Sequence, residues 1–332
     1  MTNNDTRTFR NLRLTKTACY NRYNENTRLW GEVGNEAFAA HVNATGKNKI
    51  TTAETASPGT APWLLYHSWL PQMMNLTSEQ AAMMRKLING LPESEMADEQ
   101  RRWVAGLSDA GWLSNSPADI DALVNRALQQ IIAIQNRYEL TEYLKLVQRK
   151  APRVIVEIGT ARGGMLYCFC QLAAPDALIV SIDLPGAPNC GGQTIIEREF
   201  YTSFASPGQT IQFIPKNSHF HTTKLMLKNI LGDRKVDLLF IDGDHSYGGV
   251  RIDYEMYAEF MAPDGMLTFH DIRLRPEHWG AGNEAGIFWD EIAATHETME
   301  IVDPNGICMP NRPDGVEPCW GIGILGKRTA PV

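Results

Sequence analysis

The spacing of apolar positions changes along the chain. In the N-terminal part, Thr27–Val33 and Ala61–Tyr66 read as strands joined by a polar, Gly/Pro/Thr-rich connection. Thr77-Ser-Glu-Gln80 then has the form of a capping box, with Thr77 as N-cap and Gln80 at the third helical position. Met84, Leu87, Ile88 and Leu91 follow at helical spacing. A second helix is predicted from Asp98 to Ala110, with Gly111 in the C-cap role. Ser116-Pro117 predicts the opening of a third, with Ile120, Leu123, Leu128 and Ile131 on one face.

After Lys150-Ala151-Pro152 the pattern becomes strand-length apolar runs alternating with amphipathic stretches, the signature of an α/β fold with a largely parallel sheet. The runs are Val154–Ile158, Leu178–Asp183, Thr210–Ile214, Val236–Ile241 and Met266–Phe269. Helices are predicted from Met165 to Leu172 and from about Gly249 to Met261, and Pro263-Asp-Gly265 predicts a turn. There is no internal repeat and no low-complexity segment.

The chain has 332 residues, of which 43% are hydrophobic, 21% charged and 9% aromatic. That suggests about two globular domains. No apolar run approaches the roughly 20 residues that span a bilayer, and Met1 to Arg13 are polar and basic, unlike a secretory signal. Six cysteines without a CxxC pair form no disulfide framework, so a cytoplasmic location is expected and a disulfide between Cys308 and Cys319 is not.

Charge sharpens the division. Residues 1–150 carry 17 Lys and Arg against 15 Asp and Glu, whereas residues 151–332 carry 14 against 23. The acidic half argues against nucleic acid, because phosphate contacts need local positive charge, and suits a cation or a cationic cofactor. Residues 1–27 are expected to be a basic, flexible segment.

Candidate chemistry gathers at strand ends. Val154–Ile158 runs into Gly159-Thr-Ala-Arg-Gly-Gly164 and a helix, a cofactor-binding entry in which glycines admit a ligand close to the backbone. Asp183 ends the next strand, where an acid accepts hydrogen bonds from ribose hydroxyls. Ala161 replaces the second glycine of a dinucleotide fingerprint, and Glu157 stands inside the strand. That Glu-x-Gly pattern suits S-adenosylmethionine, which is cationic and has no pyrophosphate. Asp242-Gly-Asp-His245 and His270-Asp271 end two further strands, on the edge where parallel sheets bind ligands.

With these motifs, residues 152–327 resemble class I S-adenosylmethionine-dependent methyltransferases. The nearest group includes macrolide sugar O-methyltransferases and the cephalosporin hydroxylase-like proteins. The carrying segments are Val156–Gly164, Ser181-Ile-Asp-Leu-Pro185, Leu239–Val250 and Phe269-His-Asp-Ile272. The resemblance implies a Rossmann-like seven-stranded sheet, with Trp320–Leu325 in its last, antiparallel strand. It implies cofactor contacts from Glu157, Gly159, Thr160, Ala161, Gly163, Gly164, Asp183, Ser218 and Asp242. It also implies a divalent metal at Asp242 and Asp271, with His270 standing where relatives carry an acid. Two carboxylates and waters suit magnesium, and an added imidazole favours manganese, iron or zinc. His245 matches the general base of the sugar O-methyltransferases, since a hydroxyl is a poor nucleophile until its proton leaves. Asp244 is either a second metal ligand or a partner of His245.

Residues 28–115 resemble small winged-helix domains, specifically the leader-peptide recognition elements of ribosomal-peptide biosynthesis, and residues 116–150 are read as connecting helices. The expected whole is an α/β methyltransferase domain at 151–332 preceded by a small α+β winged-helix-like domain. It would transfer a methyl group to a hydroxyl of a small molecule, sugar or modified peptide. A homo-oligomer and a leader-peptide partner are expected, and neither nucleic acid nor membrane. The rivals are a nicotinamide-dependent oxidoreductase and a non-catalytic peptide-binding partner in a biosynthetic complex.

Overall fold

The computed structural model describes residues 133–185, 201–206 and 208–309, most of 313–328, residues 96–109 and 119–131, and the upstream strands and helix named next. Upstream lie β1 (Leu12–Lys16), β2 (Asn21–Asn24), β3 (Leu29–Glu32), β4 (Trp63–His67), β5 (Met73–Leu76), α1 (Ser78–Ile88) and α2 (Asp98–Asp109). An antiparallel sheet of order β1-β4-β5 pairs Leu14 with Leu65, and β2 pairs with β3. Helix α1 lies against the three-stranded sheet and buries Ala81 and Met84. Strands therefore occur at 12–16 and 21–24, where the sequence predicts only a flexible segment. Leu12 and Leu14 alternate with polar residues there, which is enough for a strand once β4 offers a partner. The proposed cap Thr77 and the helix stop at Gly111 fall outside the described residues.

The second unit begins with α3 (Ile120–Arg126), which runs on as a π-helical turn through Ala127–Ile131. The start predicted at Ser116-Pro117 lies outside the described residues, and the cap of α3 is Asp119, whose carboxylate accepts from the Asp121 amide at 3.0 Å. Then come α4 (Arg137–Lys150), β6 (Val154–Ile158), α5 (Gly164–Leu172), β7 (Leu178–Asp183), β8 (Thr210–Pro215), α6 (His221–Leu231), β9 (Val236–Ile241), α7 (Tyr247–Tyr257), β10 (Met261–His270), α8 (Pro276–Trp279), α9 (Ala285–Ala293), β11 (His296–Ile301) and β12 (Ile322–Arg328). The sheet order is β11-β12-β10-β9-β6-β7-β8. β12 runs antiparallel to both of its neighbours, and the other pairings are parallel. This is the seven-stranded, Rossmann-like fold of class I methyltransferases.

Side-chain alternation along the strands feeds two cores. Ile155 and Phe240 join α3, α4 and α5 on one face, whereas Val154, Val156 and Ile158 join α6, α7 and α9 on the other. Helices α3 and α4 thus pack into the same core as the sheet. Leu123, Val124, Tyr143 and Leu144 are fully buried in its core. The Tyr143 ring packs on Phe169 and Phe240, and its hydroxyl meets Thr268 Oγ1 at 3.2 Å. Burying a side chain of that size stabilises by roughly 2 kcal/mol or more, so α4 contributes to the core of the sheet.

Cys308 and Cys319 form a disulfide with Cα atoms 4.8 Å apart, which corrects the expectation of free thiols. The loop places them together because both neighbourhoods are tied to the body: Trp279 donates to the Cys308 carbonyl, and Asn136 Nδ2 donates to that of Pro318. Among the described residues no helix is long and apolar enough to cross a membrane.

Candidate active site

The parallel strands end on one edge, and β6 sits at the point where the order reverses between β7 and β9, which opens a crevice there. Its first wall is the turn after β6. Gly159 has φ +88°, and a Cβ at this position would lie 1.9 Å from the Asp242 carbonyl oxygen. The Gly159 amide donates to Ile182 and the Asp242 amide to Ile158, so the turn stitches β7, β6 and β9 together. Gly163 and Gly164 are small for packing reasons: added Cβ atoms would meet the Tyr201 ring at 2.6 Å and Ala133 at 2.3 Å. Ala161 takes φ +45°, a region in which only glycine is at ease. Its amide donates to Asp183 Oδ2 at 3.0 Å, and Leu184 donates to Asp183 Oδ1 at 2.7 Å, which fixes the acid at the crevice edge.

Glu157 is completely buried. Its Oε2 accepts from the Thr160 hydroxyl at 2.7 Å, Thr160 also bonds Ser181, and Oε1 has no partner. Burial, with added repulsion from Asp183 and Asp242, holds this carboxyl well above the ordinary range, against the opposing hydroxyl of Thr160. Ser218 lies after β8, half-buried, and its carbonyl accepts from the Tyr257 hydroxyl.

The second wall follows β9 and β10. His270 Nδ1 lies 3.1 Å from Asp242 Oδ1 and 3.0 Å from Asp271 Oδ1. His245 Nε2 lies 3.2 Å from Asp271 Oδ2 and 3.6 Å from Asp242 Oδ1. Asp271 adopts φ +64°, a strained conformation for a residue with a side chain and one that clusters at functional sites. Asp242, His245 and Asp271 offer ligand atoms all within 4.8 Å of one another. The four residues that the sequence marks on this wall therefore converge.

Their charges are interdependent. Burial alone would raise Asp242, but the His270 and His245 rings outweigh it and bring the carboxyl down to about 2. Burial alone would lower His245, yet Asp271 and Asp242 raise it to about 9. Its side chain is 38% exposed, so solvent screens part of that pull. His270, 4% exposed, is driven well above the ordinary histidine range by the same two acids, which overcome its burial.

Residues nearby have structural duties. Asp244 serves the start of α7. Its Oδ1 accepts from the Ser246 amide at 2.9 Å, and the side chain packs against Gly249 at the start of α7. Trp289 is buried and donates to Glu300 at 2.6 Å. Arg162 is buried. The Gly186–Gln193 loop with Cys190 lies outside the described residues.

Three residues that sequence reasoning left aside approach the second wall. Gln135 Nε2 lies 3.5 Å from Asp242 Oδ2. The Trp320 ring stands 6.2 Å from that of His270, centroid to centroid. The Glu284 amide donates to the His245 carbonyl at 2.7 Å, and its carboxylate accepts from the Tyr247 amide at 3.1 Å. No spacing rule links residues 135–139 to a site more than 100 positions away.

Residues 156–272 match the family described as a methyltransferase domain. The matched residues lie within the seven-stranded unit, whose sheet order is Rossmann-like. An uncharacterized protein, y4gI, of Sinorhizobium fredii is 28% identical over 167 residues, which are 49% of this chain and 18% of that protein. Another, R132 of Acanthamoeba polyphaga mimivirus, is 30% identical over 135 residues, 40% of this chain and 58% of that one. The chain thus spans well under two thirds of either relative. Among solved structures, the O-methyltransferase TomG from Streptomyces achromogenes, in complex with S-adenosylmethionine, is 14% identical with a TM-score of 0.40, over 70% of this chain and 100% of that one. A Bacillus cereus O-methyltransferase is 15% identical with a TM-score of 0.42, over 67% of this chain and 96% of that one.

Proposed function

We propose that this chain transfers the methyl group of S-adenosylmethionine to an oxygen of a small-molecule, sugar or peptide acceptor in specialised metabolism, with a divalent cation assisting. The observation that carries this reading is the convergence of two carboxylates and two imidazoles within 3.0–3.6 Å on the strand-end edge of a methyltransferase domain. The acceptor oxygen attacks the methyl carbon, the carbon–sulfur bond breaks with its electron pair going to sulfur, and the hydroxyl proton leaves to a base. S-Adenosylhomocysteine is the coproduct.

His245 is the residue suited to take that proton, because it is the more exposed of the two imidazoles. His270 is too buried to touch an acceptor, and its Nδ1 already faces both acids. Asp242 and Asp271, backed by His270, form a donor set that fits a divalent cation of the manganese, iron or zinc kind, and magnesium through the carboxylates alone. A bound cation supplies the positive charge that the two acids otherwise draw from the imidazoles. With a cation there, the two acids would draw less on His245, whose Nε2 would take the acceptor proton. On the first wall, Asp183 holds the ribose, and Glu157, with the 159–164 turn and Ser218, receives the rest of the cofactor.

Isothermal titration with S-adenosylmethionine and S-adenosylhomocysteine tests the cofactor; no heat with either sinks the reading. Titration with manganese tests the cation. His270→Ala should weaken that binding while His245→Ala leaves it nearly intact, and the reverse pattern would exchange the roles given to the two imidazoles. The N-terminal sheet and helix are read as a recognition element for a peptide or for a second copy of the chain. A pull-down with a leader peptide and the mass in solution address the two.

A further inference from the structure

We propose that Glu139, at the start of α4, is a positioning residue that sets the His270–Asp271 corner by gripping the segment 303–321. Glu139 is completely buried. Its Oε1 accepts from the Asp303 amide at 3.1 Å, and its Oε2 accepts from the amides of Trp320 and Gly321 at 3.2 and 3.0 Å. Its hydrogen-bond partners are three backbone donors at the two ends of one loop. Only a carboxylate offers two acceptor oxygens to such a set. A glutamine keeps the volume but must turn its NH2 toward at least one of those amides.

The grip is passed on to the site. The Trp320 carbonyl accepts from the Arg273 amide at 2.7 Å and the Gly321 carbonyl from the Ile272 amide at 3.4 Å. These are the two residues that follow Asp271, the residue held at φ +64°. The Trp320 ring stands beside His270. Asn136, one turn before Glu139, holds the same loop through Asp303 Oδ2 and the Pro318 carbonyl, both at 3.0 Å. The Cys308–Cys319 bridge closes the loop between those anchors. A strained corner persists only where its surroundings over-determine it, and Glu139 supplies that determination from outside residues 156–272.

The proposal rests on the reading of the corner as the cation-binding wall, and the test separates the two. Glu139→Gln is compared with wild type and with Tyr143→Phe, an equally buried change in the same helix that removes a hydroxyl contact away from the loop. The probes are cobalt(II), followed by its visible absorption and by calorimetry, S-adenosylmethionine by calorimetry, and the ring 15N shifts of His270 in metal-free protein at fixed pH. Glu139→Gln should weaken cobalt binding at least tenfold, alter its spectrum and move the His270 shifts. S-Adenosylmethionine affinity should stay within about twofold. Tyr143→Phe should lower the melting temperature and move none of these readouts. Unchanged cobalt binding and unchanged His270 shifts in Glu139→Gln overturn the proposal, as does an equal response in Tyr143→Phe. If wild type binds S-adenosylmethionine but no cobalt, the cation reading fails, and the His270 shifts alone decide for or against Glu139. Should Glu139→Gln not fold, Glu139→Asp, which keeps the charge but draws the carboxylate back from the Asp303, Trp320 and Gly321 amides, must move the same readouts in the same direction; if it does not, the proposal falls.

Discussion

The two walls of the crevice are built by different means. The wall after β6 and β7 is made of backbone: a glycine with no room for a Cβ, two glycines packed on Tyr201 and Ala133, and an acid tied by one amide of the β6 turn and one of its own loop. The wall after β9 and β10 is made of charge, two acids and two imidazoles within 3.6 Å, and is held in place from elsewhere by Glu139, Trp320 and Glu284. The first is rigid because its neighbours leave no alternative. The second is a set of mutually dependent charges that need external bracing to stay in one arrangement. Substitutions on the first wall should therefore act through folding and cofactor affinity, and those on the second through chemistry.

The sharpest way to break this contrast is at Gly159. Gly159→Ala forces a Cβ to 1.9 Å from the Asp242 carbonyl while keeping φ at +88°. Overpacking and left-handed strain together cost about 3–5 kcal/mol, a large share of a domain's stability. Gly232→Ala is the control, since at φ +59° and ψ −125° it has nothing within 4 Å, so only backbone strain of about 1–3 kcal/mol applies. Denaturant unfolding of both variants measures the difference. Equal losses would mean that the tight junction between the two walls is not what stabilises the turn.

On the second wall, His245→Ala should leave folding and S-adenosylmethionine affinity nearly unchanged, the latter within about twofold, while turnover falls by roughly 10²–10⁴. Calorimetry and methyl transfer with a turned-over acceptor read the two separately. A parallel loss of cofactor affinity would show that the walls are not independent, and surviving turnover would remove His245 as the base.

The same contrast explains how much was legible in the sequence. The residues that make the first wall are contiguous or end a strand, so Gly159, Asp183 and the runs Val154–Ile158, Leu178–Asp183 and Val236–Ile241 could be read to the residue. Asp242, His245, His270 and Asp271 were legible because a parallel sheet brings strand ends together whatever their spacing. The braces were not. Glu139 sits in an ordinary amphipathic helix, and its partners are backbone amides of residues 303, 320 and 321, which carry no sequence signal at all. For the same reason α3 and α4 read as connectors: helical periodicity shows that a face is buried but not against what.

The mildest effect, and the one that bears on the first wall alone, is the protonation of Glu157. Burial raises this carboxyl well above its ordinary value, so the folded, cofactor-free protein keeps the proton at pH values where the unfolded chain has lost it. Stability must then fall as pH rises from the unfolded value through the folded one, because the native state binds more protons across that window. A cationic cofactor favours the carboxylate and lowers its pKa. Binding should therefore release up to one proton, and affinity should rise with pH, by at most about tenfold per unit, until the carboxyl of the free protein is itself ionised. Calorimetry in two buffers of different ionisation enthalpy counts the proton. Glu157→Gln should bind S-adenosylmethionine with no such release and with a flat pH profile. If the variant releases the same proton as wild type, the titrating group lies elsewhere, the second wall being the first place to look, and the cofactor then senses the charges of both walls rather than those of its own.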